Sequence, residues 1–457
     1  MGKIFKVLVA FMLILTMISM CGCEQNTSDE ENIPTTEELL ASQYDELLTA
    51  FPESTDPEDI ISYVHEWAEK QEITELVYDN DILVLQIKAS KNRSEDKSEV
   101  LQCTVSGENI ETELQSLASL MYTITHLSAH GPVTAVINSE SAKSKISSYI
   151  EDADSFINLH YSESSEVINS AAASAEYEIT NSLEWRKPRF SKAYKVSIKN
   201  LNGGNITDLS EGHPNPILQL NSLLAKWNTS GYLYDLASFK GGSKADSYCK
   251  SATMVVVLPD SDAERFQSRV EKQQAKFEKK YADSEENYEF TIEEVKVPKK
   301  VLSTESETAL VSLLYTMIAG EYLTDENSEE LIAYSNIGKL RIKDATATLK
   351  MQIYSRDKDV FKEMKEAVNT LSEISGFKAS KKTSYGIWEE TDDSPLLRDM
   401  LSYDGFKPEL KPTYGNNECS LVHKVNKKAE CVSVGLSFDN WSDTVEMLIT
   451  TLKNEKN

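Results

Sequence analysis

The chain has no CxxC pair, no excess of basic residues, and no apolar run in its body long enough to cross a bilayer. The first absence argues against a structural zinc knuckle, since Cys103, Cys249, Cys419 and Cys431 stand apart. Cys419 and Cys431 are close enough in sequence to pair in an oxidising compartment, or to stay free. The second absence removes nucleic acid from the partners: the net charge is −27, and phosphates repel such a surface. The acid is spread along the chain, so it predicts solubility more than a partner. The third leaves the body without a candidate span, which needs about 18 apolar residues. At 457 residues the chain exceeds the roughly 250–300 at which one core stops growing, so two domains are expected.

What is present begins at the amino terminus. Lys3 and Lys6 precede the apolar run Val7–Ile18, and SMCGC (Ser19–Cys23) follows. A charged region, a short apolar region and a small-residue cleavage site make a signal peptide over residues 1–22. Gly22 before Cys23 resembles a lipobox, in which Cys23 is acylated and becomes the mature terminus; Cys21 competes for that role, and an ordinary signal peptide is the alternative. The expected partner is membrane lipid, and the expected location is the extracytoplasmic face of a bacterial cell membrane. Residues 23–38 read as an acidic tether. Cleavage after residue 22 removes two lysines and no acid, taking the charge from −27 to −29.

Beyond the tether, apolar spacing predicts helices over Leu39–Phe51, Asp56–Lys70 (capped by Asp56) and Glu108–Leu127. Leu76–Ile87, Val100–Val105 and Val133–Ile137 read as strands, with Asn80–Asp81 as a turn and Gly131–Pro132 as a stop. This alternation implies an α/β domain with helices on both faces of its sheet. After about Pro188 the pattern changes. Strands at Ala193–Ile198, Tyr232–Phe239, Ala252–Leu258, Asn287–Val295 and Lys339–Tyr354 interleave with helices at Leu218–Trp227, Ala263–Tyr281, Thr308–Ala319 and Val360–Ser375. Past Trp388 a helix (Pro395–Tyr403), a strand (Cys431–Leu436) and a last helix (Ser442–Lys453) resume the first pattern. One domain is therefore expected inside another: residues 39–187 and 385–457 form the outer one, and 188–384 an inserted α+β lid.

Several motifs now line up. VSIKNLNGG (Val196–Gly204) leads to the segment Gly212–Leu224; FKGGS (Phe239–Ser243) leads to Ala252; YGIW (Tyr385–Trp388) precedes Asp393–Pro395; Glu418–Cys419 and VSVG (Val432–Gly435) close the series. In this order they resemble the aminoacyl-histidine (Xaa-His) dipeptidases, within the wider aminoacylase and carboxypeptidase family of di-zinc peptidases. The resemblance runs from about Leu39 to Leu452 and implies a mixed sheet flanked by helices with an inserted lid. It speaks to fold and not to activity.

Activity in that family implies two zinc ions, a bridging carboxylate, His ligands and a Glu that takes a proton from metal-bound water. The first His stands in a motif L-Q-x-H-x-D, here LQCTVS (Leu101–Ser106), so Thr104 replaces the ligand and Ser106 its supporting Asp. Counting back from Gly131 puts Glu111 at the bridging position. The Glu pair after Val133–Ile137 falls on Ser141 and Ala142, with Glu140 one residue away. The next Asp is replaced by His160. In the lid, Asn205 replaces a substrate-contacting His, and Ala245–Asp246 an Arg–Asn pair. The loop carrying the last His is absent between Gly435 and Trp441. Thr and Ala cannot stand in for a ligand at about 2.0–2.2 Å.

Two readings remain for Glu111, Glu140 and His160: a remodelled single-metal site, or hydrogen-bonded remnants. His126 and His130, at i and i+4, have chelating spacing on a helix but no Glu between them; His65 reads as a surface helix residue. Tyr385 and Trp388 either line a cleft or pack the domain junction. The charged helix Asp262–Tyr281 reads as a solvated face, with a homodimer through the lid left open by the resemblance. The expectation is a membrane-anchored, non-catalytic dipeptidase-like protein without a cofactor, binding a peptide or small ligand between its domains. The alternatives are a zinc-dependent dipeptidase with a remodelled site and a structural or interaction lipoprotein.

Overall fold

The computed structural model describes residues 34–91, 98–205, 212–325, 331–389, 394–415 and 417–453. The expected signal peptide, Cys23 and most of the tether lie outside them.

The first described helix, α1 (Thr36–Ala50), starts at a capping box in which Thr35 and Glu38 satisfy each other's backbone amides. Asp56 caps α2 (Pro57–Lys70) as expected, accepting from the Glu58 amide at 3.1 Å. Among the described residues the first sheet has eight strands. They are β1 (Thr74–Asp79), β2 (Ile82–Ile87), β3 (Glu99–Val105), β4 (Val133–Ser139), β5 (Ser155–Tyr161) and β6 (Glu166–Ala171), joined late in the chain by Glu409–Thr413 and Glu430–Leu436. Four of these, β4, β3, β5 and Glu430–Leu436, run parallel and adjacent.

Parallel strands covered on both faces need apolar side chains on both. Leu83, Leu85, Leu101, Ile157 and Leu159 face α1, α2 and the long helix α3 (Ile110–His126). Ile82, Val84, Val136 and Phe156 face the other way, onto Ala142, Ile146, Cys419 and Trp388.

The chain enters the second sheet at β7 (Ala173–Ser182), ahead of residue 188. The alternation there of buried Ala175, Tyr177 and Ile179 with Glu176 and Glu178 is a half-buried strand pattern that the reading from sequence passed over. This sheet continues through β8 (Lys192–Lys199), β9 (Asp235–Gly242), β10 (Ala252–Leu258), β11 (Glu289–Val295), β12 (Leu331–Lys343), β13 (Thr346–Ser355) and β14 (Lys378–Tyr385), in the order β11-β8-β10-β9-β12-β13-β7-β14. One core joins it to helices α4 (Pro216–Thr229), α5 (Ala263–Tyr281), α6 (Thr304–Thr316) and α7 (Lys358–Ile374). The charged helix α5 is therefore only half solvated: Phe266, Val270 and Phe277 are buried in that core.

Residues 339–354, read as one strand, are parts of the β12–β13 hairpin. Its turn is Asp344–Ala345, both with positive φ (49° and 66°), the geometry of a tight two-residue hairpin. The Gly241–Gly242 segment closes strand β9. Gly242 has φ 63°, and a Cβ there would lie 1.9 Å from the Gly338 carbonyl oxygen, so only glycine lets β9 approach β12 at this point.

The exit from the first sheet and the return to it are tied together. Ala171 and Trp388 exchange backbone hydrogen bonds of 2.9 and 3.0 Å. The chain then forms α8 (Pro395–Leu401), β15 (Glu409–Thr413), α9 (Glu418–Val425), β16 (Glu430–Leu436) and α10 (Trp441–Lys453).

Candidate functional site

Open α/β sheets bind ligands at the carboxyl ends of their parallel strands. At that edge, Thr104 is the last residue but one of β3, β5 ends with His160 and Tyr161, and β4 runs into a ten-residue 3-10 segment, Glu140–Tyr149.

A row of buried polar side chains crosses the four parallel strands just below this edge. Gln102 Nε2 donates to Asn138 Oδ1 at 2.7 Å and to Thr104 Oγ1 at 2.9 Å. Asn158 Nδ2 donates to Gln102 Oε1 at 2.7 Å, and Ser433 Oγ to Asn158 Oδ1 at 2.5 Å. Gln102, Asn138, Asn158 and Ser433 are essentially excluded from solvent, where an unpaired amide would cost about 1–3 kcal/mol. The sequence signal was an amide or hydroxyl residue inside each otherwise apolar strand.

Above the row, Thr104 Oγ1 donates to Glu418 Oε1 at 3.2 Å. Lys143 Nζ lies 2.8 Å from the same oxygen and 2.9 Å from Glu140 Oε2. The Lys143 and Glu418 side chains are only 15% and 9% exposed. Burial disfavours both charges, but each charge outweighs that for the other. Glu418 stays below the usual carboxylate range, and Lys143, with Glu140 assisting, above the usual amine value. Tyr385 faces this group: its hydroxyl is pushed up by burial and by Glu418 and Glu140, against Lys143. Sequence reasoning missed Lys143, although its place one turn after Glu140 was visible.

The other expected positions scatter. Ser106 and the start of α3 are organised by Glu113, which accepts from the backbone amides of Ser106 at 2.7 Å and Gly107 at 2.8 Å. Glu111 is exposed on the first turn of α3. Ser141 Oγ donates to Asp81 Oδ1 at 3.1 Å, towards the β1–β2 turn, and Ala142 is buried among Ile82, Val136 and Trp388. His160 Nδ1 lies 3.1 Å from Ser433 Oγ, and its Nε2 3.5 Å from Glu166 Oε1. Glu166 also pairs with Lys411, and burial opposes its charge less than His160 and Lys411 support it. A Cβ at Gly435 would meet Glu166 Cγ at 2.4 Å, so this glycine makes room for Glu166. Asn205 lies in a two-residue strand paired with Ser247–Tyr248. The only polypeptide between β16 and α10 is Ser437–Asn440.

His126, His130 and His65 have partners of their own. Helix α3 ends at His126, so His126 and His130 do not share a helical face. His126 stacks on Tyr122 at 3.8 Å and His130 Nδ1 lies 2.5 Å from the Gly131 carbonyl. His65 is half-buried, 2.6 Å from Glu75 and stacked on Tyr78. Trp388 is packing at the junction. Lys244 of the second sheet's unit reaches Glu108 of the first at 2.7 Å, an exposed pair of small worth.

Two zinc ions would need His and carboxylate donors around a shared bridge. Among the described residues no three His, Cys, Asp or Glu side chains gather to hold a metal ion, and Glu111, Glu140 and His160 are not brought together. The carboxylates that do reach the strand ends are already neutralised by Lys143 and Lys411. This donor chemistry does not fit a two-zinc centre.

No protein-family model matches the chain, and no curated protein matches it in sequence. Solved structures do match in three dimensions. The aminoacylhistidine dipeptidase of Vibrio alginolyticus superposes with a TM-score of 0.69 at 16% identity, over 93% of this chain and 99% of the dipeptidase. A tripeptidase of Staphylococcus aureus gives 0.50 at 12% identity, over 91% and 97%. The chain is thus similar in fold to a dipeptidase over nearly its whole length, with the mixed α/β architecture of sheets flanked by helices expected from its motifs.

Proposed function

We propose that this protein is a non-hydrolytic binding protein on a dipeptidase fold, tethered by an acylated Cys23 at the outer face of the cell membrane. Its ligand is a peptide or small molecule held between the two sheets. The observation that carries the reading is the Lys143–Glu418 ion pair at the strand ends. A lysine ammonium is a cation with no open coordination position, and Glu418 and Glu140 keep Lys143 charged. It can neutralise carboxylates, but it cannot make a bound water acidic enough to attack an amide. Thr104, Ser106, Ser141 and Ala142 supply no proton acceptor of suitable strength beside it.

The fold supports the ligand class, since the dipeptidase of known structure is named for aminoacyl-histidine substrates. The interdomain edge retains Tyr385, Glu140 and Lys143 as groups that can meet a peptide's charged ends. The test is a thermal-shift and calorimetric titration of the full chain with Xaa-His dipeptides and a panel of other dipeptides. Saturable binding with unchanged peptide recovered afterwards is expected; hydrolysed peptide, or no stabilisation by any member of the panel, contradicts the proposal.

A further inference from the structure

Helix α9 begins with Glu418 and Cys419 and packs across β16, whose second residue is Cys431. Both cysteines are free and buried in the same small apolar cluster, with Phe156 and Val422. Within that cluster Cys431 stands beside the Cys419 thiol and adds to the burial that disfavours its ionisation. The other two described cysteines have no such neighbour among the described residues. Cys103 is in the opposite core, and Cys249 Sγ lies 3.2 Å from the Gly338 carbonyl oxygen.

We propose that Cys419 and Cys431 are a thiol–disulfide pair that closes within one chain when a disulfide-bearing oxidant reaches it. One thiolate attacks an oxidant sulfur, the oxidant S–S bond breaks, and one oxidant thiol leaves. The second thiolate then attacks the resulting mixed disulfide, forming the Cys419–Cys431 bond and expelling the second oxidant thiol. The two cysteine protons end on the two oxidant thiols, and the oxidant gains both electrons.

Burial sets the kinetics. It pushes the Cys419 thiol up, so that sulfur is a poor nucleophile in the closed structure, and both cysteines are shielded from an oxidant. Exchange waits for the eight-residue helix α9 to lift locally. Once one sulfur is activated, the return of α9 to β16 brings its neighbour alongside, and closure outruns a second encounter with oxidant. A closed pair clamps the start of α9, and with it Glu418, against β16. The bond therefore bears on the same carboxylate that Lys143 holds.

The experiment treats the full folded chain with oxidised glutathione, blocks residual thiols in denaturant, and maps tryptic peptides without reduction. Cleavage at Lys424, Lys427 and Lys428 separates the two cysteines, so the bond appears as a linked peptide pair that dissolves on reduction. The expected result is that linked pair, with Cys103 and Cys249 recovered as blocked free thiols. In the Cys419→Ala variant Cys431 is recovered instead as a glutathione adduct or a free thiol. Recovery of Cys419 and Cys431 as free thiols, as two separate glutathione adducts, or linked to other cysteines overturns the proposal.

Discussion

Lys143 Nζ and Glu418 Oε1 stand 2.8 Å apart where the carboxyl ends of the parallel strands meet the second sheet. The two residues come from distant stretches of chain, a 3-10 segment after β4 and the first turn of α9. Breaking a buried pair strands the remaining charge, at about 3–5 kcal/mol. Lys143→Met is therefore expected to lower the unfolding free energy by about 3–5 kcal/mol, measured by urea denaturation at pH 7. Adding Glu418→Gln should recover part of the loss, because no bare carboxylate remains. An unchanged midpoint in the single variant would show that the pair carries no such weight.

The pair also sets a pH dependence. Glu418 is held below its ordinary value in the folded state, so its contribution is present above the unfolded carboxylate range and is lost as the pH falls through the folded value. In Lys143→Met the carboxyl moves upward, and the sign reverses: mild acid should stabilise that variant relative to pH 7. Denaturation midpoints across pH 4–8 on both proteins check this, and parallel curves would contradict it.

A second titration lies beside the core of the second sheet. Glu307 accepts the Leu236 amide at 2.6 Å, and burial pushes its carboxyl up to about 7, with Asp235 adding to the rise. Asp235 itself is held charged by Arg186 and Arg189. Because the folded value exceeds the ordinary 4.5, the folded state binds more protons between those two pH values. Stability from this group falls as the pH rises across the window and is flat above it. Glu307→Gln keeps an acceptor for Leu236 and should gain about 1–3 kcal/mol at pH 8 while flattening the pH profile. A loss of stability at pH 8 would rule this account out.

Trp388 is 1% exposed and hydrogen-bonds through its backbone to Ala171. Trp388→Ala is expected to cost about 3–5 kcal/mol, as large aromatic truncations in cores do. The backbone bonds to Ala171 would survive it. Thermal denaturation checks the size, and a change under 1 kcal/mol would place Trp388 outside the core.

Much of the fold was legible because its strands and helices repeat their apolar residues at the periods their faces require. Ile60, Ile61 and Val64 in α2 and the doubly apolar run Ile82–Leu85 in β2 are such cases. β7 and β14 were harder. β7 alternates with small and acidic residues, and β14 is almost wholly exposed, with Lys378, Lys381 and Lys382 marking a sheet edge. At the site, the motifs supplied only an expectation of which residues stand at the ligand positions. What the sequence could not supply was their new partners. Lys143–Glu418, Glu166–Lys411 and the Gln102–Asn158–Ser433 row join strands and turns far apart in the chain, and no local pattern encodes such pairs.

The most direct test is the metal content of the purified chain after zinc loading and desalting, with Xaa-His dipeptide hydrolysis assayed on the same sample and on Thr104→His. The account predicts no retained zinc and no turnover in either protein, because one imidazole restores neither the bridge nor the base. About two zinc ions per chain with turnover would mean that the side chains at the strand ends rearrange into a working centre, and would contradict it.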